Sequence, residues 1–156
     1  MNPEEKLGSL LTARTWTLAV AESCTGGLLA HTITNVPGSS TYFLGGMIAY
    51  SDSSKTEILG VPAETIMKNG AVSDRTAMAM AVGIVINFAC DFGIAITGIA
   101  GPSGGSEQKP VGTVFVGVAS EVGEKAKAFH FKGSREEIKA QSVKAAIEFA
   151  CEFLMD

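Results

Sequence analysis

The sequence predicts an α/β fold in three layers, with a mixed, mostly parallel sheet between two layers of helices. Over the first two-thirds of the chain, short apolar segments alternate with helical patterns, and this alternation is typical of parallel strands joined by helices. Two further strand patterns surround the turn "EVGE", and a long amphipathic segment closes the chain. They predict an antiparallel hairpin followed by a helix. No linker or repeat divides residues 1–156, so we expect a single domain.

Strands are predicted where apolar residues run together between turn signals. The first three, "TLAVAE", "YFLGGMIAYS" and "FGIAITGIA", are apolar enough to be buried, and "TVFVGVAS" and "KAKAFHFK" form the hairpin. The loop "NVPGSS" precedes the second strand, and the longest loop, "GPSGGSEQKPVG", follows the third. The predicted strands are residues 17–22, 42–51, 92–100, 113–120 and 125–132.

Helices are predicted from apolar spacing together with start and stop residues. Asn2-Pro3 and Pro62 mark two starts, Asp52 or Ser53 caps a third helix, and Ser73 or Asp74 caps a fourth. Gly60 and Gly70 end two of the helices, and Ser134 with Glu137 forms a capping box for the last one. The predicted helices are residues 4–14, 25–34, 52–60, 62–70, 74–89 and 134–156.

Composition and charge exclude several classes of function. The net charge is −4, and no basic stripe or row of exposed aromatics is present, so we expect no nucleic-acid partner. Cys24, Cys90 and Cys151 have neither zinc-site nor CxxC spacing, and three cysteines cannot form a complete disulfide framework. We therefore predict no metal site and no cofactor.

Targeting and membrane signals are missing from the sequence. The start "MNPEEKLGSLLTARTW" is acidic and amphipathic, unlike a signal peptide. The most apolar region, residues 77–99, is interrupted by Asp91, Gly93 and Thr97, so no membrane-spanning helix is expected. We predict a cytoplasmic protein with no membrane partner. The apolar N- and C-terminal helices favour a homo-oligomer, because extra apolar faces need covering.

Three loops carry side chains suited to catalysis: Ser23–Gly27, Tyr50–Lys55 and Thr97–Gly105. Each follows a predicted strand, and ligands of open α/β sheets bind where strands end and helices begin. In "AESCTGG", Ser23 lies between a strand and a helix. An ordinary N-cap explains such a serine. A nucleophile does too, because N–H groups at the start of the helix would stabilise an oxyanion.

A serine nucleophile needs a base, and the sequence offers few. His31 falls in a helix and His130 in a strand, with no Ser–His–Asp arrangement evident. Lys55 is the alternative, provided that burial lowers its pKa enough to keep the amine neutral. The glycine-rich segment 97–113 suits a loop folded around an anionic ligand, with Lys109 as a candidate contact, although a flexible surface loop explains it equally well.

Taken together, three long motifs resemble the CinA C-terminal domain family, whose stand-alone members include nicotinamide-nucleotide amidases. They are "AESCTGGLLAHTITNVPGSSTYFLGGMIAYSDSSK", "GAVSDRTAMAMAVG" and "AITGIAGPSGGSEQKPVGTVFVGV". The resemblance covers nearly the whole chain. It implies an α/β/α fold and metal-free hydrolysis of the carboxamide of nicotinamide mononucleotide, which yields nicotinate mononucleotide and ammonia.

The resemblance also implies the site residues. The catalytic set is Ser23 with Lys55, assisted by Tyr50 and by a second serine, Ser40 in preference to Ser39. Substrate contacts are expected from the glycine loops and their neighbours, namely Cys24, Thr25, Gly26, Gly27, Thr97, Gly98, Gly101, Gly104, Gly105 and Lys109.

Two competing hypotheses remain open at this point. Cys24, next to Ser23, could be the nucleophile, although no histidine partner is evident for it. Alternatively, the protein could be a non-catalytic nucleotide-binding regulator associated with competence or DNA damage. Such a protein would keep the glycine loops but release no ammonia.

Overall fold

A computed structural model describes all 156 residues. It consists of a five-stranded sheet with helices on both faces. The strands are β1 Leu18–Glu22, β2 Phe43–Ile48, β3 Phe92–Gly98, β4 Thr113–Ser120 and β5 Gly123–His130. The helices are α1 Pro3–Arg14, α2 Leu28–Thr34, α3 Asp52–Glu57, α4 Ala63–Asn69, α5 Asp74–Phe88 and α6 Arg135–Met155, with a 3-10 turn at Ser39–Thr41.

The strand order in the sheet is β2-β1-β3-β4-β5. β1 pairs in parallel with both β2 and β3, whereas β4 is antiparallel to both β3 and β5. Four of the five strands therefore run in one direction, which confirms the mixed, mostly parallel sheet. The chain leaves β1 toward one side of the sheet to form β2 and later returns on the other side to form β3, so the strand order reverses at β1.

Two hydrophobic cores flank the sheet and confirm the three layers. On one face, α1, α2 and α6 pack on the sheet, with Leu11, Leu29 and Ile147 fully or almost fully buried. On the other face, α5 packs through Met80 and Ile84 against the alanines of β1 and β3. Apolar residues thus cover both faces of the central strands, which explains why β1 and β3 read as continuous apolar runs.

Side-chain caps set the starts of the long helices as predicted. Ser73 accepts the Thr76 N–H at the start of α5, and Ser134 forms a capping box with Glu137 at the start of α6. The cap of α3 is a correction, because Ser51 accepts the Ser54 N–H, and neither Asp52 nor Ser53 occupies the cap position.

Several predicted boundaries were wrong, and β2 ends at Ile48 rather than at residue 51 and α3 at Glu57 rather than at residue 60. α2 begins at Leu28 rather than at residue 25, because Gly26 and Gly27 adopt positive φ angles of 59° and 112° and delay the helix. β5 begins at Gly123 rather than at residue 125, because Ser120 pairs with Gly123 across a two-residue turn.

The prediction that the second strand is buried was also wrong. β2 is an edge strand, and its side chains alternate between half-buried and exposed. The run "FLGGMI" is apolar, yet nothing in the chain pairs with its outer edge. None of the six helices combines the length and the apolar composition that a bilayer span requires.

Candidate active site

The three predicted loops meet at the carboxyl ends of the three parallel strands. The loop after β1 carries Ser23, the loop after β2 leads to Lys55, and β3 ends at Gly98 and is followed by the loop that carries Gly101. They line a cavity of about 340 Å³, a size typical of small-molecule sites. This cavity lies where the strand order reverses at β1, which is where open α/β sheets bind ligands.

Ser23 and Lys55 form the centre of the cavity. Nζ of Lys55 lies 2.9 Å from Oγ of Ser23. The same nitrogen donates to the carbonyl oxygens of Ala49, at 3.0 Å, and Tyr50, at 2.9 Å. The Ala49 N–H donates in turn to the Glu22 carbonyl of β1, so the end of β2 is tied beside the serine loop. Lys55 itself sits on the first turns of α3, which point its side chain back toward β1.

Lys55 is buried without a carboxylate partner. Only 1% of its surface is exposed, and neither ion pair of the protein includes it. Burial disfavours the charged amine and lowers the pKa of Lys55 below its ordinary value of 10.5, while the nearby charge of Asp52 opposes that shift. An amine in this setting is suited to act as a base.

A buried carboxylate holds the serine loop in place. Oε1 of Glu22 accepts from Thr25 Oγ1 at 2.6 Å and from the N–H groups of Gly27 and Leu29, and Oε2 accepts from Ala30 N. The glutamate therefore occupies the N-terminus of α2 and satisfies N–H groups that have no partner within the helix. Gly27 and the start of α2 are for this reason closed to a substrate anion.

The remaining loop N–H groups define a narrower oxyanion site than the one expected from the sequence. The Gly26 N–H donates to the Ser23 carbonyl, so it is engaged within the turn. The N–H groups of Cys24 and Thr25 donate to no group of the protein. Of the two, Cys24 lines the cavity, so its N–H is the donor next to Ser23 that an oxyanion could use.

Cys24 lines the cavity but is poorly suited to be a nucleophile. Burial raises the pKa of its thiol from 9.0 to about 11, and the charge of Glu22 adds to that effect. The reactive thiolate is thus scarce at neutral pH. Nζ of Lys55 hydrogen bonds to the Ser23 hydroxyl, so the geometry favours the serine.

Tyr50, which was predicted as a site residue, and Arg135 form the rim of the cavity. The Tyr50 carbonyl holds Lys55, whereas its hydroxyl accepts from Nη2 of Arg135 at 3.1 Å. Nη1 of Arg135 donates to the carbonyl of Gly101 at 2.6 Å. Gly101 has a φ of 79°, and a Cβ there would clash with Val111, so the loop needs glycine at this position.

Some of the other predicted binding residues line the cavity, and the others hold the loops around it. Gly98, Gly101 and Gly104 line the cavity. Thr97 lines it too, but its hydroxyl donates to the Ala71 carbonyl and holds the loop before α5. Lys109 donates to the carbonyls of Asn69 and Val72 and does not reach the cavity, and Gly105 packs on Val111 outside it. The remaining loop residues, Thr25, Gly26 and Gly27, shape the serine turn without lining the cavity.

Ser40 is remote from the cavity of its own chain. It is exposed on the 3-10 turn before β2, whereas Lys55 follows that strand. The six residues of β2 separate the two ends by about 20 Å. The alternative serine, Ser39, lies on the same turn and is buried.

Sequence reasoning missed Glu22, and for Arg135 it favoured an exposed position over a phosphate contact. Glu22 is the one acidic residue in an apolar strand, and its spacing from Thr25 and Gly27 was the available signal. Arg135 opens a long helix directly after its cap, a position that is solvent-exposed in many proteins, so only the fold reveals its contact with Gly101.

A larger cleft of about 560 Å³ lies between α3, α4 and α5, but no serine, cysteine or lysine lines it, so it offers neither such a nucleophile nor a base like Lys55. No three His, Cys, Asp or Glu side chains come together as a metal site would require.

Fold and site together define a three-layer α/β protein with a buried serine–lysine pair at the strand-order reversal. The model of the CinA C-terminal domain matches residues 2–154. The chain therefore belongs to the CinA C-terminal domain family, as the sequence motifs indicated.

Known relatives agree with that assignment. A competence-damage inducible protein of Moorella thermoacetica is 54% identical over 144 residues, which are 92% of this chain and 35% of that protein. A CinA-like protein of Desulfotalea psychrophila is 48% identical over 96% of this chain and 36% of its own length. The chain thus spans about a third of these relatives. A CinA superfamily structure from Klebsiella pneumoniae is 34% identical, with a TM-score of 0.93 over 99% of both chains.

Proposed function

We propose that the protein is a serine–lysine amidohydrolase that removes the carboxamide nitrogen of nicotinamide mononucleotide. The observation that carries the proposal is the 2.9 Å contact between Ser23 and a buried lysine that has no carboxylate partner. A lysine paired with a carboxylate would stay protonated, whereas burial alone lowers its pKa. The family resemblance supplies the substrate.

The polar groups around Lys55 fit a neutral amine. A neutral amine has two hydrogens and one lone pair. The carbonyls of Ala49 and Tyr50 accept the two hydrogens, and in the neutral amine the lone pair replaces the third hydrogen, which the charged amine donates to Oγ of Ser23 at 2.9 Å. Once the amine has accepted the serine proton, its third hydrogen donates to Oγ of Ser23. Both protonation states are therefore satisfied without moving the side chain.

The reaction follows from this arrangement. Lys55 takes the Ser23 proton as Oγ bonds to the amide carbon, and the N–H group of Cys24 stabilises the resulting oxyanion. The C–N bond then breaks, the protonated Lys55 gives its proton to the nitrogen, and ammonia leaves. Lys55 next deprotonates a water, which attacks the acyl carbon. The ester bond to Oγ breaks, Lys55 returns the proton to Ser23, and the carboxylic acid product leaves and ionises. No step needs a metal or a redox partner.

A cationic group at the rim supports an anionic substrate. Arg135 lines the cavity and has no carboxylate partner. Lys139 lies one turn further along α6 beside the serine turn, outside the cavity lining, with its ammonium 3.8 Å from where a Gly26 side chain would be. A phosphate at this rim would meet Arg135, while Ala71, Val72 and Ile99 offer an apolar wall for the pyridinium ring. A substrate of this kind is also consistent with the predicted cytoplasmic location.

The test is ammonia release from purified protein incubated with nicotinamide mononucleotide, with nicotinamide and glutamine as alternative amides. We expect release only from the nucleotide, and none from Ser23→Ala or Lys55→Met. Lys68→Met is the matched control, because Lys68 is an exposed lysine on α4. A rise in melting temperature with the nucleotide, but no ammonia, would instead favour the regulatory binding protein.

A further inference from the structure

The segment that joins α4 to α5 is held in place by side chains. Its four successive carbonyls, from Asn69 to Val72, each accept a hydrogen bond from a side chain, and no backbone N–H donates to the last three of them. The donors are Ser73, Thr76, Thr97 and Lys109. A segment whose carbonyls have no backbone donor takes its position from the groups that bind it.

The position of this segment matters because it forms part of the cavity wall. Ala71 and Val72 line the cavity that holds Ser23. Thr97, the last residue but one of β3, is buried and donates to the Ala71 carbonyl at 2.8 Å. The segment is therefore tied directly to a strand that ends at the cavity.

Lys109 binds both ends of the segment. Its Nζ donates to the Asn69 carbonyl at 2.8 Å and to the Val72 carbonyl. A Cβ at Gly70 would lie 3.0 Å from the same nitrogen, so the ammonium lies directly against the segment. Neither ion pair of the protein includes Lys109. Because hydrogen bonds from a charged donor are stronger than neutral ones, Lys109 is suited to act as a clamp.

The loop that carries Lys109 also carries Ile99, another apolar residue of the cavity wall. A turn closes the loop, because the Ser106 N–H donates to the Lys109 carbonyl at 2.9 Å and the Lys109 N–H donates to Oγ of Ser106 at 3.0 Å. Near the two ends of the loop, the Gly112 N–H donates to the Ile99 carbonyl at 2.8 Å. Lys109 therefore joins this loop to the segment 69–72.

We propose that Lys109 is a positioning residue for the aromatic ring of the substrate. By clamping the segment 69–72 to the glycine-rich loop, it fixes where Ala71 and Val72 lie relative to Ile99. These three residues form the apolar wall of the cavity. The role rests on the proposed function, because that function supplies the ring.

The reacting groups and the phosphate contact do not depend on this clamp. Ser23 and Lys55 come from the loops after β1 and β2, and Arg135 comes from α6. Lys109 hydrogen bonds to none of them. Loss of the clamp should therefore weaken binding of the ring and leave binding of the phosphate intact. The pH at which kcat/KM is half-maximal should also stay unchanged, because Lys55 keeps its partners.

Two ligands test the proposal. Lys109→Met keeps the length of the side chain and removes its donors, so we expect KM for nicotinamide mononucleotide to rise about tenfold. Ribose 5-phosphate lacks the ring, and its inhibition constant should stay near that of the wild type. Lys125→Met removes an exposed lysine of β5 and is the matched control, which should change neither constant. An unchanged KM, or an equal loss for both ligands, would overturn the proposal.

Thr97→Val is the second variant, which serves in case Lys109→Met does not fold. Valine has the shape of threonine but lacks the hydroxyl that binds the Ala71 carbonyl. We expect the same rise in KM, again without a change for ribose 5-phosphate. Both changes act on one segment, so the double variant should lose less affinity than the two single losses predict together. Fully additive losses would contradict a shared clamp.

Limited proteolysis tests the clamp without a substrate. Trypsin cuts after lysine, and Lys68 is an exposed lysine directly before the segment. Cleavage there should be several-fold faster in Lys109→Met, because the segment opens more often. The bond after exposed Lys132 is the internal reference. Equal rates at Lys68 would overturn the clamp. A wild type that binds the nucleotide but releases no ammonia would contradict the proposed function alone, and calorimetric Kd values for the two ligands would then test Lys109.

Discussion

The sheet has a parallel half and an antiparallel half that share β3, and the two halves differ in the polar groups they bury. In the parallel half, Glu22, Ser23, Lys55 and Thr97 are all buried at the carboxyl ends of the strands. In the antiparallel half, β4 and β5 meet at a tight turn, and their buried side chains are all apolar.

The difference follows from how the strands are connected. β1 and β2 are each followed by a crossover, so their carboxyl ends release a loop and then a helix, whereas β3 is followed by the long loop 99–112 and then by β4. These three loops converge around β1 and can place a nucleophile, a base and an anion rim together. A hairpin returns at once and leaves no room for such a loop. The parallel half is thus suited to catalysis, and the antiparallel half supplies the packing that holds β3.

The largest expected effect comes from removing the nucleophile. Ser23→Ala should lower kcat by about 10⁴-fold or more, because the remaining groups only bind and polarise the amide. Cys24→Ala should stay far more active, since alanine keeps the backbone N–H. The measurement is steady-state ammonia release. Ser9→Ala is the control, because Ser9 is an exposed serine on α1. Equal losses in Ser23→Ala and Cys24→Ala would contradict serine as the nucleophile.

A smaller effect is expected at the rim. Arg135→Ala should raise KM for nicotinamide mononucleotide about 10–100-fold, the amount that one charge-assisted hydrogen bond supplies. The riboside lacks the phosphate, so its kinetics should change little. Lys144→Ala, an exposed lysine on the same helix, is the control. If Arg135→Ala weakens both substrates equally, Arg135 does not bind phosphate.

Loosening the serine loop should affect stability and rate together. Glu22→Gln replaces an oxygen that accepts backbone N–H groups with an amide donor, so we expect a loss of about 1–3 kcal/mol in the free energy of unfolding. Because Ser23 follows directly, kcat should fall about tenfold through misplacement. Urea titration and kinetics on the same samples measure both. Full activity in a destabilised Glu22→Gln would show that the loop needs no such support.

The smallest effect on activity should come from the antiparallel half. Val116→Ala removes two methyl groups from the fully buried centre of β4. The free energy of unfolding should fall by about 1–3 kcal/mol, with kcat unchanged below the melting transition. A large loss of kcat in a folded Val116→Ala protein would show that the two halves are not separable.

Sequence reasoning went furthest where local patterns decide the structure. Apolar runs and caps predicted the layers, and "AESCTGG" and "YSDSSK" pointed to Ser23 and Lys55. It was wrong that the β2 strand is buried, because composition cannot tell an edge strand from a central one. Strand order is a property of tertiary pairing.

The site was predictable only in part for a similar reason. The contacts of Arg135, Lys109 and Ser40 depend on which loops the sheet brings together, and no local spacing encodes that. The spacing between Glu22 and Thr25 is compatible with the hydrogen bond between them. A carboxylate on an apolar strand is buried only where it finds hydrogen-bond donors, and the sequence does not show that the start of α2 supplies them. Tertiary placement therefore decided each of these residues.

The central claim is that Lys55 is neutral when it meets Ser23. Burial lowers its pKa, so kcat/KM should fall about tenfold per pH unit below that lowered value. Between the lowered pKa and 10.5 the unfolded chain binds more protons. The stability of the wild type relative to Lys55→Met should thus rise with pH in that window and level off outside it.

The most direct measurement is an NMR titration of the lysine side-chain carbons, with the Lys55 signal assigned by its loss in Lys55→Met. Lys55 should titrate below its ordinary value of 10.5, at the pH where kcat/KM loses half its maximum. If Lys55 titrated at that ordinary value, the amine would be charged at working pH and could not activate Ser23.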